Sequence, residues 1–321
     1  MEAIKIDALP DELMQAFEHD PTIIMQPILN GTEAMNKYFK VGFARDKATY
    51  TNAEIFDAVR VAGPDFAPVN ALTLGVRKVQ LEDFDIDLTL SRETLKGWVR
   101  SYLGDITGMN REKPLIEAQG FPAFMLQQII GRQFGFMYLM GAWKGEREVN
   151  GKKAEKSVTG LLEKLTIGRA SGGDIPTSNV HTAAVITVAN AYEEVNAVAE
   201  LIKTNNSELL GRALECRMSP ELYIMYKRNR QALFPTHLSP TDNPTVLDDF
   251  SNITLVQEPG LAGKQTVLIT DPNMLRLTTN ESVGDYAMSM ERKVKSWDFN
   301  LHFSLCFDYA YGKLIYLNDK V

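Results

Sequence analysis

One stretch near the C-terminus constrains this chain more than any other. From Trp297 to Tyr311 the residues alternate. Trp297, Phe299, Leu301, Phe303, Leu305, Phe307, Tyr309 and Tyr311 fall on one side, and Asp298, Asn300, His302, Ser304, Cys306, Asp308 and Ala310 on the other. A period of two marks a β-strand with one face buried. At ~3.3 Å per residue such a strand reaches roughly 50 Å, several times the length of a typical strand. That is more than a compact domain of ordinary size spans, so it predicts a rib in something extended, with the polar side wet.

The same period recurs earlier. Phe84, Ile86, Leu88 and Leu90 alternate with Asp83, Asp85 and Asp87. Three carboxylates invite a metal site, but same-face neighbours on a strand stand ~6.6–6.8 Å apart. They cannot all reach one ion whose ligands sit at ~2.3 Å. A solvated or partner-facing acidic face is expected, or a set of salt-bridge acceptors for a neighbouring subunit. This segment ends a predicted β-ribbon over residues 38–90. Tyr38 to Phe43 opens it, a polar middle carries Gly63-Pro64 and Pro68, and Leu72 to Leu90 returns.

Residues 114–143 read as one long helix, with Pro122 suited to a first-turn position. Leu126, Ile130, Phe134, Met137 and Gly141 form one stripe; Met125, Ile129, Phe136, Met140 and Trp143 form another. A helix apolar nearly all round is expected to be buried. A second helix is predicted over 181–203, from Val185, Val188, Tyr192, Val195, Ala199 and Ile202 at spacings of three and four. A third opens at Ser219-Pro220-Glu221, a cap followed by a first-turn proline, and runs to Leu233. Short strands are expected at Leu214–Met218, Ile253–Gln257, Thr266–Thr270, Met274–Thr278 and Leu314–Leu317. Residues 1–37 read as an arm, with a short helix at Pro10–Phe17 broken by Asp20-Pro21, Pro27 and Asn30-Gly31.

Catalytic chemistry finds no foothold. The four histidines, His19, His181, His237 and His302, show no metal-ligand spacing, and Cys216 and Cys306 form no CxxC or Cys/His cluster. Both cysteines read as buried reduced thiols. Glu193-Glu194 reads as an exposed acidic pair. The Gly168–Asp174 run has glycines but neither phosphate-loop spacing, and reads as a surface loop. The expectation is therefore no catalytic, cofactor-binding or metal-binding residue. A net charge of −7 argues against tight sequence-independent nucleic-acid binding. The opening residues show no apolar signal segment, and no apolar run is long enough to cross a bilayer.

The order of elements carries a resemblance. Asp85-Ile-Asp-Leu-Thr-Leu-Ser-Arg-Glu-Thr-Leu95 looks like a passage from an extended loop into a helix, and Phe136-Met-Tyr-Leu-Met-Gly-Ala-Trp143 like the end of a spine helix. Thr159-Gly160-Leu161-Leu162 resembles a short segment after that spine, Met218–Tyr226 the start of an axial-domain helix, and Val267–Arg276 a strand near that domain's end. Together they resemble the Hong Kong 97-like major capsid proteins of tailed bacteriophages, a fold shared with encapsulins.

The resemblance implies an α+β fold. It implies an N-terminal arm at 1–37, an extended loop at 38–92, a peripheral domain at 93–164 and 281–321, and an axial domain at 165–280. The long helix and long strand would pack together as the rib of the peripheral domain. The implied role is a shell subunit, not an enzyme. It would form hexamers and pentamers of an icosahedral head around double-stranded DNA, in a virion assembled in the bacterial host cytoplasm. Implied partners are other copies, a scaffolding protein, a portal and weakly held DNA, without membrane or cofactor. The chain lacks the long N-terminal scaffolding segment of some relatives, which implies a mature form or separate scaffolding. Two alternatives stay open: an encapsulin shell around an enzyme cargo, and an unrelated α/β enzyme.

Overall fold

The computed structural model describes residue 35 and residues 38–55, 72–98, 100, 114–235, 243–280 and 287–321. The chain divides into two units. One holds residues up to Asp46, Leu81–Gly160 and Leu277–Cys306; the other holds Lys47–Gln80, Leu161–Arg276 and Phe307–Val321. The predicted arm lies outside the described residues, apart from its last turn at Met35.

The predicted rib is present, most of it in the first unit. Strand β12 runs Ser296–Tyr309, fourteen residues. It belongs to a five-stranded sheet with β1 (Lys40–Ala44), β4 (Glu82–Ser91), β10 (Leu275–Asn280) and β11 (Ala287–Arg292), in the order β1-β10-β12-β11 with β4 also on β12. β4 pairs antiparallel along Ser296–Leu305, and β11 along Trp297–His302. The aromatic face is buried from Trp297 through Tyr309. Its middle meets helix α1 (Pro114–Phe136), where Phe134 stacks on Phe303 at 5.5 Å, and Phe84 of β4 tilts against Phe303 at 5.7 Å. Helix and strand thus form the expected rib.

Three expectations change here. The polar side of β12 is half-exposed only as far as His302; Ser304, Cys306 and Asp308 are buried. Alternation reports one buried face and is silent on whether a neighbour covers the other. Helix α1 begins at Pro114, as the 114–143 reading has it, so Pro122 lies in its interior rather than its first turn, and the helix is not buried all round. It passes into a π-turn at Met137–Gly141, and Phe136, Leu139 and Met140 are exposed while Met125, Leu126, Ile130, Phe134 and Trp143 are buried. The predicted ribbon over 38–90 also divides. β1 and β4 are sheet strands, and the two-stranded ribbon is β2 (Lys47–Ile55) against β3 (Leu72–Gln80) alone.

After the π-turn the chain folds back through α2 (Ala154–Ser157). Glycine is required at the crossing: a Cβ on Gly160 would lie 2.5 Å from the Gly145 nitrogen and 2.6 Å from the Trp143 carbonyl oxygen. Close backbone approach of this kind excludes every other side chain.

The second unit carries the ribbon, α3 (Leu161–Arg169) and a six-stranded mixed sheet. Its strands are β5 (Val180–His181), β6 (Leu214–Met218), β7 (Val246–Leu247), β8 (Phe250–Gln257), β9 (Val267–Thr270) and β13 (Tyr316–Asn318), in the order β5-β13-β9-β6-β8-β7. Helices α4 (Ala191–Asn205) and α5 (Pro220–Leu233) bury Val195, Val198, Ile202, Leu222 and Tyr226 in a core with Cys216, Ile253 and Ile269. The predicted cap of α5 forms, with Ser219 Oγ accepting from the Leu222 N–H at 3.2 Å. Arg217, 1 % exposed, is held between Glu215 at 2.7 Å and Glu258 at 3.4 Å, so its buried charge is paired.

The second predicted helix starts ten residues late. Asn190 accepts from the N–H and hydroxyl of Thr187 at 2.7 and 2.9 Å and donates to the Val185 carbonyl at 3.1 Å. These local bonds give the backbone an alternative to the helix. Val185 and Val188 stay outside it, exposed. The Tyr192 N–H then donates to Asn229 of α5 at 2.9 Å.

Candidate assembly surfaces

The three aspartates of β4 lie on the exposed side, as their spacing predicts, yet each is engaged within the chain. The register sets Asp83, Asp85, Asp87 and Thr89 opposite Ser304, His302, Asn300 and Asp298. Ser304 Oγ donates to Asp83 at 2.8 Å and Asn300 Nδ2 to Asp87 at 2.7 Å; His302 Nδ1 lies 2.9 Å from Asp85, and Thr89 Oγ1 donates to Asp298 at 2.9 Å. Lys293 also pairs with Asp298 and, with Thr89, holds that carboxyl below its ordinary range. This is a polar cross-strand ladder. It ties all three aspartates to their own chain while leaving them exposed. Among the described residues no group of three His, Cys, Asp or Glu is placed to hold a metal ion.

The remaining residues singled out by sequence find structural places. His181 Nε2 lies 2.9 Å from Glu194 Oε2, and the Ala184 N–H donates to Glu194 Oε1 at 3.3 Å. Glu194 is thus a half-buried anchor, not part of an exposed pair. Cys216 and Cys306 are buried and form no disulfide, and burial pushes the Cys216 thiol pKa up. His19 and His237 lie outside the described residues. The Gly168–Asp174 run is more than a surface loop. Gly168 is buried at the end of α3, and Asp174 accepts hydrogen bonds from Arg77 and the Tyr309 hydroxyl. Nothing in its glycine pattern marks that role, because both partners are remote in sequence.

A groove of about 460 Å³ in the second unit is lined by Thr166, Arg169, Ala170, Thr177, Val180, Thr182 and Asp319. Its carboxylate, Asp319, accepts from the Ala183 N–H at 3.1 Å and pairs with Lys320 at 3.3 Å. Burial works against the charge of Asp319, yet these partners hold its pKa below the ordinary range. The groove offers no activated nucleophile. No helix among the described residues is long and apolar enough to cross a membrane.

Several apolar side chains stand exposed among the described residues. The first unit presents Phe136, Leu139 and Met140 around the π-turn, and Gly131 and Gly135 on the same helix have nothing within 4 Å of a built Cβ. The second presents the ribbon, with Thr49, Thr51, Val76 and Lys78 exposed.

No family model matches the chain, and no curated protein does either. Among solved structures it is similar to the satellite phage P4 procapsid including size determination (Sid) protein. That match has 13 % identity and a TM-score of 0.55, and covers 91 % of this chain and 99 % of the other. Looser matches are the capsid of an empty GTA particle (11 % identity, TM-score 0.48, 88 % and 94 % covered) and the holo-SrpI encapsulin complex from Synechococcus elongatus (9 % identity, TM-score 0.44, 88 % and 85 % covered). The chain has an α+β, Hong Kong 97-like capsid fold.

Proposed function

We propose that this protein is a structural shell subunit, the major capsid protein of a tailed bacteriophage or prophage. The observation that carries the reading is the end-to-end likeness to the chain of the P4 procapsid structure, which takes in nearly the whole of both chains. Two features support it. A fourteen-residue strand packed on a 23-residue helix makes a rib longer than a small globular enzyme needs. The exposed ribbon and the apolar π-turn give each copy surfaces for other copies.

In this reading residues 38–92 serve as the extended loop, 93–164 with 281–321 as the peripheral domain and 165–280 as the axial domain. Copies form hexamers and pentamers of an icosahedral head in the host cytoplasm. Scaffolding protein, portal and double-stranded DNA are the other partners. A net charge of −7 suits a wall that must not grip its contents, since phosphate contacts would slow packing and release. The role is structural and needs no catalytic residue.

Electron microscopy and light scattering of the purified protein test this. Closed shells or ring-shaped capsomers are expected. A species of only 35.9 kDa across salt and crowding conditions overturns the reading. Shells that carry a co-expressed enzyme and exclude DNA would reassign the protein to a cargo compartment.

A further inference from the structure

The ribbon poses a physical problem. An isolated two-stranded hairpin is marginal in water, and this one has nine cross-strand pairs, Lys47–Ile55 against Leu72–Gln80. Among the described rungs, Ala48 and its partner Val79 are buried, whereas Thr51 and its partner Val76 are exposed. Between them lies the rung Tyr50–Arg77, and it is gripped from both sides of the pair.

Arg77 is the centre of that grip. Its Nε and Nη2 donate to Asp308 Oδ1 at 3.2 and 2.8 Å, and Nη1 donates to Asp174 Oδ2 at 2.9 Å. Its guanidinium lies 3.9 Å from the centre of the Tyr309 ring, whose hydroxyl donates to the other oxygen of Asp174 at 2.5 Å. One planar cation therefore meets two carboxylates and an aromatic face, a geometry that lysine cannot reproduce. Across the rung, the Arg276 guanidinium sits over the Tyr50 ring at 5.6 Å. The seat is built for this. A Cβ on Gly168 would lie 2.0 Å from the Tyr309 hydroxyl, and one on Gly312 would lie 2.5 Å from the Asp174 carbonyl oxygen.

We propose that the Arg77 clasp is a latch. It holds the β2–β3 ribbon on its own subunit, and protonation of Asp308 releases the ribbon while the rest of the unit stays folded. The groups facing Asp308 are Arg77 from β3, the N–H of Tyr309 beside it on β12, and Lys164 from α3, while Asp174 from the loop after α3 faces Arg77. Burial opposes the charge of Arg77, but the surrounding Asp308, Tyr309 and Asp174 outweigh it and raise its pKa, so it stays cationic. Burial also pushes the Asp308 carboxyl up, and Arg77 pulls it back without cancelling the effect.

A carboxyl held above its ordinary range binds its proton more tightly in the folded chain than in the unfolded one. Its contribution to stability is present at low pH and is lost as pH rises through the folded value. Release of the ribbon takes Arg77 away from Asp308; with that downward pull gone, a carboxyl still enclosed by the rest of the unit binds its proton more tightly than in the latched state, so acid favours the released ribbon. The neutral carboxyl no longer offers Arg77 an anion, and a charge-assisted pair becomes an ordinary hydrogen bond.

Hydrogen–deuterium exchange on the full-length chain tests the latch, with rates corrected for intrinsic pH dependence. Peptides covering 47–55 and 72–80 report the ribbon, and those covering 214–218 and 267–270 report the core sheet. In Arg77→Gln the ribbon should lose about tenfold or more in protection while the core keeps its own. In the native chain the ribbon should lose protection on acidification well before the core does. Asp308→Asn should loosen the ribbon already at neutral pH and flatten that pH dependence. Unchanged ribbon protection in both variants overturns the latch. So does loss of protection everywhere in both, which would make the clasp part of the fold itself. A native ribbon that opens only together with the core overturns release by acid. The readout is exchange within the chain, so it succeeds or fails independently of shell assembly.

Discussion

Two antiparallel pairs in this protein are nearly equal in length and opposite in character. β4 on β12 has ten paired residues on each strand, and β2 on β3 has nine. The first pair is bound on both faces. Phe84, Ile86, Leu90 and the aromatic row of β12 lie in the core, while Asp83, Asp85, Asp87 and Thr89 each bond the residue directly opposite. The second pair has its backbone ladder and, among the described residues, two buried side chains at its base and the clasped Tyr50–Arg77 rung. Strand pairing alone does not make a rib. Burial of one face and satisfaction of the other do, because a lone ladder mostly exchanges water bonds for internal ones.

The largest break in that contrast should come from Phe303→Asp. Phe303 is fully buried and touches both Phe84 and Phe134. Losing its packing and burying a carboxylate should cost more than ~4 kcal/mol, a large share of a domain's stability. Soluble yield should collapse, and a near-native melting temperature would refute the shared rib.

Ser304→Asp comes next. With its polar side wet, this substitution would be benign. The structure buries Ser304 and bonds it to Asp83 at 2.8 Å, so the new carboxylate meets an existing one. A cost of about 2–3 kcal/mol is expected, visible as a lowered melting temperature. A melt equal to the native protein would mean that this end of β12 is wet after all.

Shortening the ribbon should separate folding from assembly. Asn52 and Gly75 are directly paired, so residues 53–74 can be replaced by a two-residue Asn-Gly hairpin turn. Thermal stability should change by less than about 0.5 kcal/mol, while shells seen by electron microscopy should disappear. Intact shells would show that the outer ribbon is dispensable to assembly.

The smallest effect is expected from Asp87→Asn. Asp87 is exposed and keeps an acceptor for Asn300, which it binds at 2.7 Å. Stability should stay within about 0.5 kcal/mol, and shells should form. A large loss in calorimetry would mean that the ladder contributes as much as the aromatic face below it.

The places where sequence reasoning stopped share a cause. The Ser219-Pro220 start of α5 was legible because a cap is a local bond. The α4 start was not, because Thr187 and Asn190 diverted a helical pattern into side-chain bonds. Glu194 looked like half of a solvated pair until β5 brought His181 to it.

Local spacing along the chain was enough to set the periodic elements: the long strand, the acidic strand opposite it, the long helix and the capped α5. Period two and period 3.6 are set by neighbours a few residues away, and burial of a face follows from the side chains on that face. What lies against each face was settled by long-range packing. It covered Ser304 and Asp308, left Phe136 and Met140 bare, and set Arg77 between Asp174 and Asp308, partners 97 and 231 residues away. Such contacts are chosen by how elements stack and by whether each buried charge finds a partner, and no local spacing records that choice.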